Sequence, residues 1–198
     1  MGGGSYFSDA LVFLISTLFS LYIAAVALRF LLQWVRADFY NPISQFLITV
    51  TNPPLRFLRR FIPGFGGIDW PSIVLLLTLQ SCEVMIIGLI SFGSIPTLSG
   101  LVVLSIARLL HLIIYIFIFA IFIQVIISWV NPGAYNPITV LISNLTEPLL
   151  RPARRLLPPI SGFDLSPLIA FIALQLIILL FINPLTDMGY SLSGYGLR

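Results

Sequence analysis

The sequence predicts an all-α membrane protein whose four transmembrane helices form two parallel two-helix repeats, each with an amphipathic interfacial helix in its loop. Three observations lead there. The chain has 10 basic and 7 acidic residues among 198, while 59% are apolar, which is too little charge to cover a soluble domain. The charges are clustered and leave long neutral runs between them. A central stretch of the chain is also written twice, 95 residues apart.

The neutral runs place the spans. Asp9 to Arg29 encloses 19 uncharged residues, Glu83 to Arg108 encloses 24, Arg108 to Glu147 encloses 38, and Asp164 to Asp187 encloses 22. A helix needs about 20 apolar residues to cross a hydrocarbon core of ~30 Å. The expected spans are 10–35, 71–93, 101–130 and 166–183. In lipid the backbone must satisfy its own hydrogen bonds, so helices are expected; the alternation of barrel strands is absent. Trp34 and Trp129 fall near the ends of the first and third spans, where interfacial aromatics sit. The N-terminal run has no basic n-region and is too long for a cleavable signal peptide. Met1–Ser5 is glycine-rich and carries no assigned role. One cysteine, Cys82, excludes an intramolecular disulfide framework.

The repeat organises the rest. Trp34-Val35 recurs as Trp129-Val130, and Tyr40-Asn41-Pro42-Ile43 as Tyr135-Asn136-Pro137-Ile138. The same offset carries Pro53 to Pro148, Leu55-Arg56 to Leu150-Arg151, Arg59-Arg60 to Arg154-Arg155, Pro63 to Pro158, Gly67 to Gly162, Asp69 to Asp164 and Gln80 to Gln175. From Trp34 to Gln80, 17 of 47 positions are identical with no gap. The expected units are residues 1–99 and 100–198, each a helix, a loop of about 35 residues and a second helix. Two spans per unit give both units the same orientation. All ten basic residues are Arg. The two Arg triplets and Arg36 fall on one side, which the positive-inside rule makes cytoplasmic, with both termini outside.

Within each loop, Asn41-Pro42 and Asn136-Pro137 read as helix starts, with Asn as cap and Pro at the first helical position. A second start is expected at Asn52-Pro53 and Glu147-Pro148. At about 100° per residue, Arg56, Arg59 and Arg60 share one face, and so do Arg151, Arg154 and Arg155, opposite Leu, Phe and Ile side chains. This pattern suits a short interfacial helix with its apolar face in the acyl boundary and its guanidinium groups toward phosphates. Anionic lipid head groups are the first expectation for these six Arg, and an acidic cytoplasmic or membrane protein partner is the second. Nucleic acid is the weakest reading, because three charges on one turn lack an aromatic groove. The uncharged segments 42–51 and 137–146 resemble aquaporin half-helices, but parallel repeats leave both loops on one face.

Glu83 is the carboxylate inside a span, and Arg108 and His111 are its candidate partners. Two readings of Arg108 stay open, an ion pair with Glu83 and a side chain reaching the outer interface. Arg29 reads as a snorkelling residue near the inner interface. Gln80 and Gln175 suit interhelical hydrogen bonds, with a polar path as the alternative. Asp69 and Asp164 precede helix starts and read as dipole-favourable caps. His111 and Cys82 stand alone, and no metal, cofactor, nucleotide or nucleophile motif is present, so no catalysis is expected.

With the duplication, the Tyr-Asn-Pro-Ile motif, the run Pro-Leu-Leu-Arg-Pro-Ala-Arg-Arg-Leu-Leu-Pro at 148–158 and Asp164-Leu-Ser-Pro, the chain resembles the YggT (YGGT/YlmG) family of small integral membrane proteins. The resemblance covers residues 10–183. The first copy departs from it, with Pro54 and Phe57 where the second has Leu149 and Pro152, and Trp70-Pro71-Ser72 in place of Leu165-Ser166-Pro167. The resemblance implies a bacterial plasma-membrane protein whose relatives are associated with osmotic-stress tolerance and ion homeostasis, with cell division or envelope organisation, and in plastids with assembly of membrane complexes. It supplies no catalytic residues. Two functions are expected. One is a non-enzymatic factor in osmotic or ionic homeostasis, a small homo-oligomeric channel or its modulator, with Glu83, Arg108, Gln80 and Gln175 as polar interior. The other is a scaffold that uses the Arg loops.

Overall fold

The computed structural model describes residues 4–131, 133, 136–156 and 164–195. Tyr135, Leu157, Pro158 and Gly162 of the repeat, and Arg198, lie outside the described residues. In chain order the elements are α1 (Gly4–Trp34), α2 (Pro42–Leu58), α3 (Trp70–Phe92), α4 (Leu98–Val130), α5 (Pro137–Leu156), α6 (Ser166–Ile177) and α7 (Asn183–Leu192). A π-helical turn, Ile178–Ile182, joins the last two. The described residues form no strand, and four segments are long and apolar enough to cross a membrane: Tyr6–Trp34, Trp70–Phe92, Leu98–Val130 and Ser166–Leu192.

The fourth span runs nine residues past the expected end at 183. Pro184 has no amide to donate and its ring crowds the carbonyl four residues back, which would ordinarily end a helix there. The wider π turn just before Pro184 relieves that clash, and the helix continues. Close backbone approach then seats α7 on α4. A Cβ on Gly100 would lie 2.3 Å from Ser193 Cα, so no larger residue fits there.

The loop helices also differ from expectation. Each is one continuous helix with prolines inside, Pro53 and Pro54 in α2 and Pro148 and Pro152 in α5, and the expected second starts at Asn52 and Glu147 do not occur. The cost of an interior proline lies partly in the carbonyl it frees. Pro54 frees the carbonyl of Val50, which accepts the Tyr22 hydroxyl at 3.4 Å. The buried side of α2, Ser44, Leu47, Thr51 and Leu55, packs on the helical bundle. Leu55 is fully buried with Ile23, Val26 and Leu75; its copy Leu150 is buried with Phe117, Ile121 and Leu174. The first turns of the two loop helices meet, since the Asn41 side-chain amide donates to the Pro137 carbonyl at 2.6 Å. Leu32, Leu47 and Leu141 form a small core beneath that contact. Asn41 and Pro137 each lie seven residues past the end of α1 or α4, so those two spans end on the same side of the bundle.

Candidate functional site

The loop side carries the densest polar chemistry. Arg29 lies in α1 five residues before its end and is 8% exposed. Its Nη1 donates to Thr51 Oγ1 at 2.7 Å and to the Ile48 carbonyl at 3.4 Å, and both terminal nitrogens reach Asn52 Oδ1 at 3.4 Å. Thr51, itself fully buried, donates its proton to the Leu47 carbonyl at 2.6 Å. These partners are all neutral. Among the described residues no carboxylate comes within ion-pair distance of Arg29, although buried charges are normally paired. The nearby carboxylate Asp69 is engaged elsewhere: Arg59 Nη2 binds it at 2.6 Å and Ser72 Oγ donates to it at 2.8 Å. That pair fastens the end of α2 to the start of α3.

Between α1, α2 and the 59–71 loop lies a cavity of about 730 Å³, within the ~300–1,000 Å³ range of small-molecule sites. Arg29, Arg36, Arg59, Ser44 and Asp69 line it together with apolar side chains. The loop can fold back over the cavity because Gly66 and Gly67 both take positive φ, 66° and 77°, in a turn closed by the Ile68 amide on the Phe65 carbonyl. Arg36 is the one non-glycine residue with positive φ among the described residues, at 54°. It occupies the position after α1 where glycine usually terminates a helix, in a geometry that costs an L residue about 1–2 kcal/mol.

The second half has the same frame with different charges. Residue 124, which is 95 positions after Arg29, is Gln. The Thr146 hydroxyl lies within hydrogen-bond reach of both Gln124 Oε1 and the Ile142 carbonyl, which share its one proton. In place of Asn52 stands Glu147, and Arg154 binds both Glu147 at 2.9 Å and Asp164 at 3.1 Å. Burial alone would raise the Asp164 carboxyl, but hydrogen bonds from Ser166 and Arg154 outweigh it and hold the carboxyl below the ordinary range. A smaller groove past α4 is lined by Ile126, Asn131, Asn136 and Thr139, with no charged side chain among its described lining residues.

The six loop Arg therefore divide. Arg59 and Arg154 are tied to the loop aspartates, Arg151 approaches Glu147 at 3.9 Å and is 72% exposed, and Arg56, Arg60 and Arg155 are exposed. Inside the spans, Glu83 is 5% exposed and accepts from Gln80 Nε2 in its own helix at 2.6 Å. Gln80 is thus bonded within its own helix, and Gln175 is exposed on α6. Arg108 does not come within ion-pair distance of Glu83; it donates to the Tyr190 hydroxyl at 3.3 Å. His111 packs edge-on against Tyr115, ring centroids 4.7 Å apart. The polar contact between α3 and α4 is instead the Ser81–Ser105 hydroxyl pair at 3.0 Å. Among the described residues no three of His, Cys, Asp and Glu cluster as a metal site.

Sequence reasoning does not single out Thr51, Thr146, Gln124 or Ser44, it places Arg36 only by side, and it reads Arg29 as reaching toward solvent. Thr51 and Thr146 did leave a signal: they are identical at the 95-residue offset and lie on the face opposite the Arg triplets. Arg29 and Gln124 share that offset too, but they precede the stretch over which the copies align.

These features define a four-span helical membrane protein with a polar loop side and no assembled catalytic group among the described residues. The chain belongs to the CCB3/YggT family, whose sequence pattern matches residues 8–90 and again 103–185. It is 49% identical over 182 residues to the uncharacterized protein PA0392 of Pseudomonas aeruginosa, covering 91% of this chain and 92% of that one. It is 38% identical over 170 residues to the uncharacterized protein YggT of Escherichia coli K12, covering 85% and 87%. A Vibrio alginolyticus protein named for its place in the proC 3' region is 41% identical over 168 residues, covering 84% and 90%. No solved structure matches the chain.

Proposed function

We propose that the chain is a non-enzymatic multi-pass protein of the bacterial plasma membrane, two parallel repeats with cytoplasmic loops and outward termini, that serves as a scaffold in envelope organisation. Its loop side holds anionic head groups and, beside them, a protein partner. The observation that carries this reading is the one-sided charge: Arg36, Arg56, Arg60, Arg151 and Arg155 are all exposed at the loop side. The family pattern matching twice at a common spacing supports the duplication. Phe57 and Phe61, 66% and 65% exposed and paired edge-on at 5.2 Å, flank Arg56 and Arg60 as interfacial aromatics do. Each Arg near an anionic leaflet contributes about 1 kcal/mol. The test is the fraction of spin-labelled phosphatidylglycerol immobilised around the protein in nanodiscs. Replacing Arg56, Arg60, Arg151 and Arg155 with Gln should remove most of the preference over phosphatidylcholine, as should high salt. An unchanged preference overturns the reading.

A second reading, osmotic-stress tolerance and ion homeostasis through a small channel or its modulator, rests on Glu83. It lies thirteen residues past Trp70, ~20 Å along the helix, and a carboxylate buried at that depth is functional by default. Apolar clusters fill the bundle on both sides, so conduction would run between the subunits of a homo-oligomer. Potassium flux in proteoliposomes above that of empty vesicles, abolished by Glu83→Gln, supports it; flux equal to empty vesicles removes it.

A further inference from the structure

The cavity bounded by α1, α2 and the 59–71 loop holds a surplus of positive charge that the protein does not neutralise. Three arginines, Arg29, Arg36 and Arg59, line it against one acidic residue, Asp69, which Arg59 already binds. Arg29 is buried, its hydrogen-bond partners are all neutral, and the nearby carboxylate Asp69 is bound by Arg59, so its charge is only partly offset. Arg36 holds a backbone conformation that disfavours any residue with a side chain, and in that conformation it lines the same cavity.

Ser44 supplies an independent observation. It is 8% exposed, lines the cavity, and its Oγ has no hydrogen-bond partner. A buried hydroxyl without a partner is rare in native structures and calls for an explanation. Ser44 sits in the first turn of α2, where the helix dipole favours an anion. Much of the remaining wall is apolar, including Leu32, Leu47 and Ile48, and Pro71 in the first turn of α3 also lines it. The cavity therefore lies level with the start of a membrane span.

We infer that this cavity binds the phosphate of one anionic phospholipid, gripped by the Arg29 and Arg36 guanidinium groups and by the Ser44 hydroxyl. A phosphate offers several oxygens pointing in different directions, which suits donors arriving from α1, from the turn after it and from α2. The apolar wall then gives the glycerol and upper acyl chain a path back toward the bilayer. Arg59, held by Asp69, shapes the wall and leaves the surplus charge of the other two Arg free for the ligand. In the second half, Gln124 and Asn131 replace the two gripping Arg, so only the first half has this site. The inference rests on the reading that the loop side faces an anionic leaflet, but it concerns one tightly held lipid and not the surrounding annulus.

The test uses the full chain, reconstituted with phosphatidylglycerol, washed in delipidating detergent and analysed by native mass spectrometry. The expected result is one retained phosphatidylglycerol per chain. Arg29→Gln and Arg36→Gln should each reduce retention by about tenfold or more, as expected for loss of a charge-assisted contact. Ser44→Ala should reduce it less. Asn52→Glu, which gives Arg29 a carboxylate, should displace the lipid without removing any Arg. Arg36 is exposed, so a folded Arg36→Gln variant that retains lipid fully overturns the proposal even if Arg29→Gln fails to fold. Competition separates the two sources of phosphate. If millimolar inorganic phosphate displaces the lipid or binds in its place, the lipid assignment is overturned in favour of a soluble phosphate. The exposed Arg56, Arg60, Arg151 and Arg155 quadruple variant should keep the retained lipid while losing annular preference. Loss of annular preference alone, with no retained lipid in the unaltered protein, sinks this site and leaves the scaffold reading intact.

Discussion

The two loop assemblies share a frame and differ in where they put their charge. In each, a helix residue near the end of a long span reaches a buried threonine on the loop helix, and an arginine at the loop helix's end reaches an aspartate before the next span. In the first half the span residue is Arg29 and the loop residue after the threonine is the neutral Asn52. In the second half the span residue is the neutral Gln124, and the residue after the threonine is Glu147, which together with Asp164 surrounds Arg154. The first half is left with an excess of buried positive charge beside a cavity; the second is locally compensated. The comparison teaches that the threonine contact is the structural constant of the frame, and that charge was redistributed around it without changing the architecture.

The largest expected separation between the halves comes from removing that constant. Thr51→Val takes away the acceptor that supports a buried guanidinium, a loss of about 1.5–3 kcal/mol for a hydrogen bond to a charged group. Thr146→Val removes a contact to a neutral amide and should cost about 1 kcal/mol. For a chain of this size each kcal/mol moves the unfolding midpoint by about 2–4 °C. Thermal unfolding in one detergent should therefore show a larger drop for Thr51→Val than for Thr146→Val. Equal drops would break the comparison, because they would mean that Arg29 does not depend on Thr51 for its solvation.

The spans and the family were legible in the sequence because they depend on properties that accumulate over 20 residues or more: hydropathy, charge spacing and a repeat without gaps. What escaped depends on single contacts. Asn52-Pro53 and Glu147-Pro148 read as helix starts by the local rule for proline, and that rule fails here because packing against the bundle holds α2 and α5 together as continuous helices. The expected end at 183 fell short because a helix can continue past Pro184 through a π turn, which is invisible to a 3.6-residue pattern. The Arg triplets were seen as a uniform face, but their middle members Arg59 and Arg154 had partners ten residues ahead, in Asp69 and Asp164. The pairing recurs at the repeat offset and was readable in principle. Arg29 was not, since nothing in a span's sequence distinguishes an arginine that reaches water from one that turns into a cavity.

The smallest expected effect probes the compensated half by pH. Asp164 has a folded-state carboxyl held below its ordinary value of 3.8, because the hydrogen bonds from Ser166 and Arg154 outweigh the upward push of burial. A depressed folded value means that the unfolded chain takes up the proton first as pH falls. The stabilisation from Asp164 is then complete above the unfolded-state value and declines as pH drops through the folded-state value. With the carboxyl 42% exposed and its Arg partner 37% exposed, solvent screening limits the contribution to about 1 kcal/mol or less. Between pH 7 and about 5, the unfolding midpoint of the unaltered protein should exceed that of Asp164→Asn by about 1–3 °C. Below about pH 4 the two should converge. A constant difference down to pH 3 would show that Asp164 acts through packing or backbone capping alone. It would then remove Arg154–Asp164 from the electrostatic side of the comparison, leaving Glu147 as the carboxylate that compensates the second half.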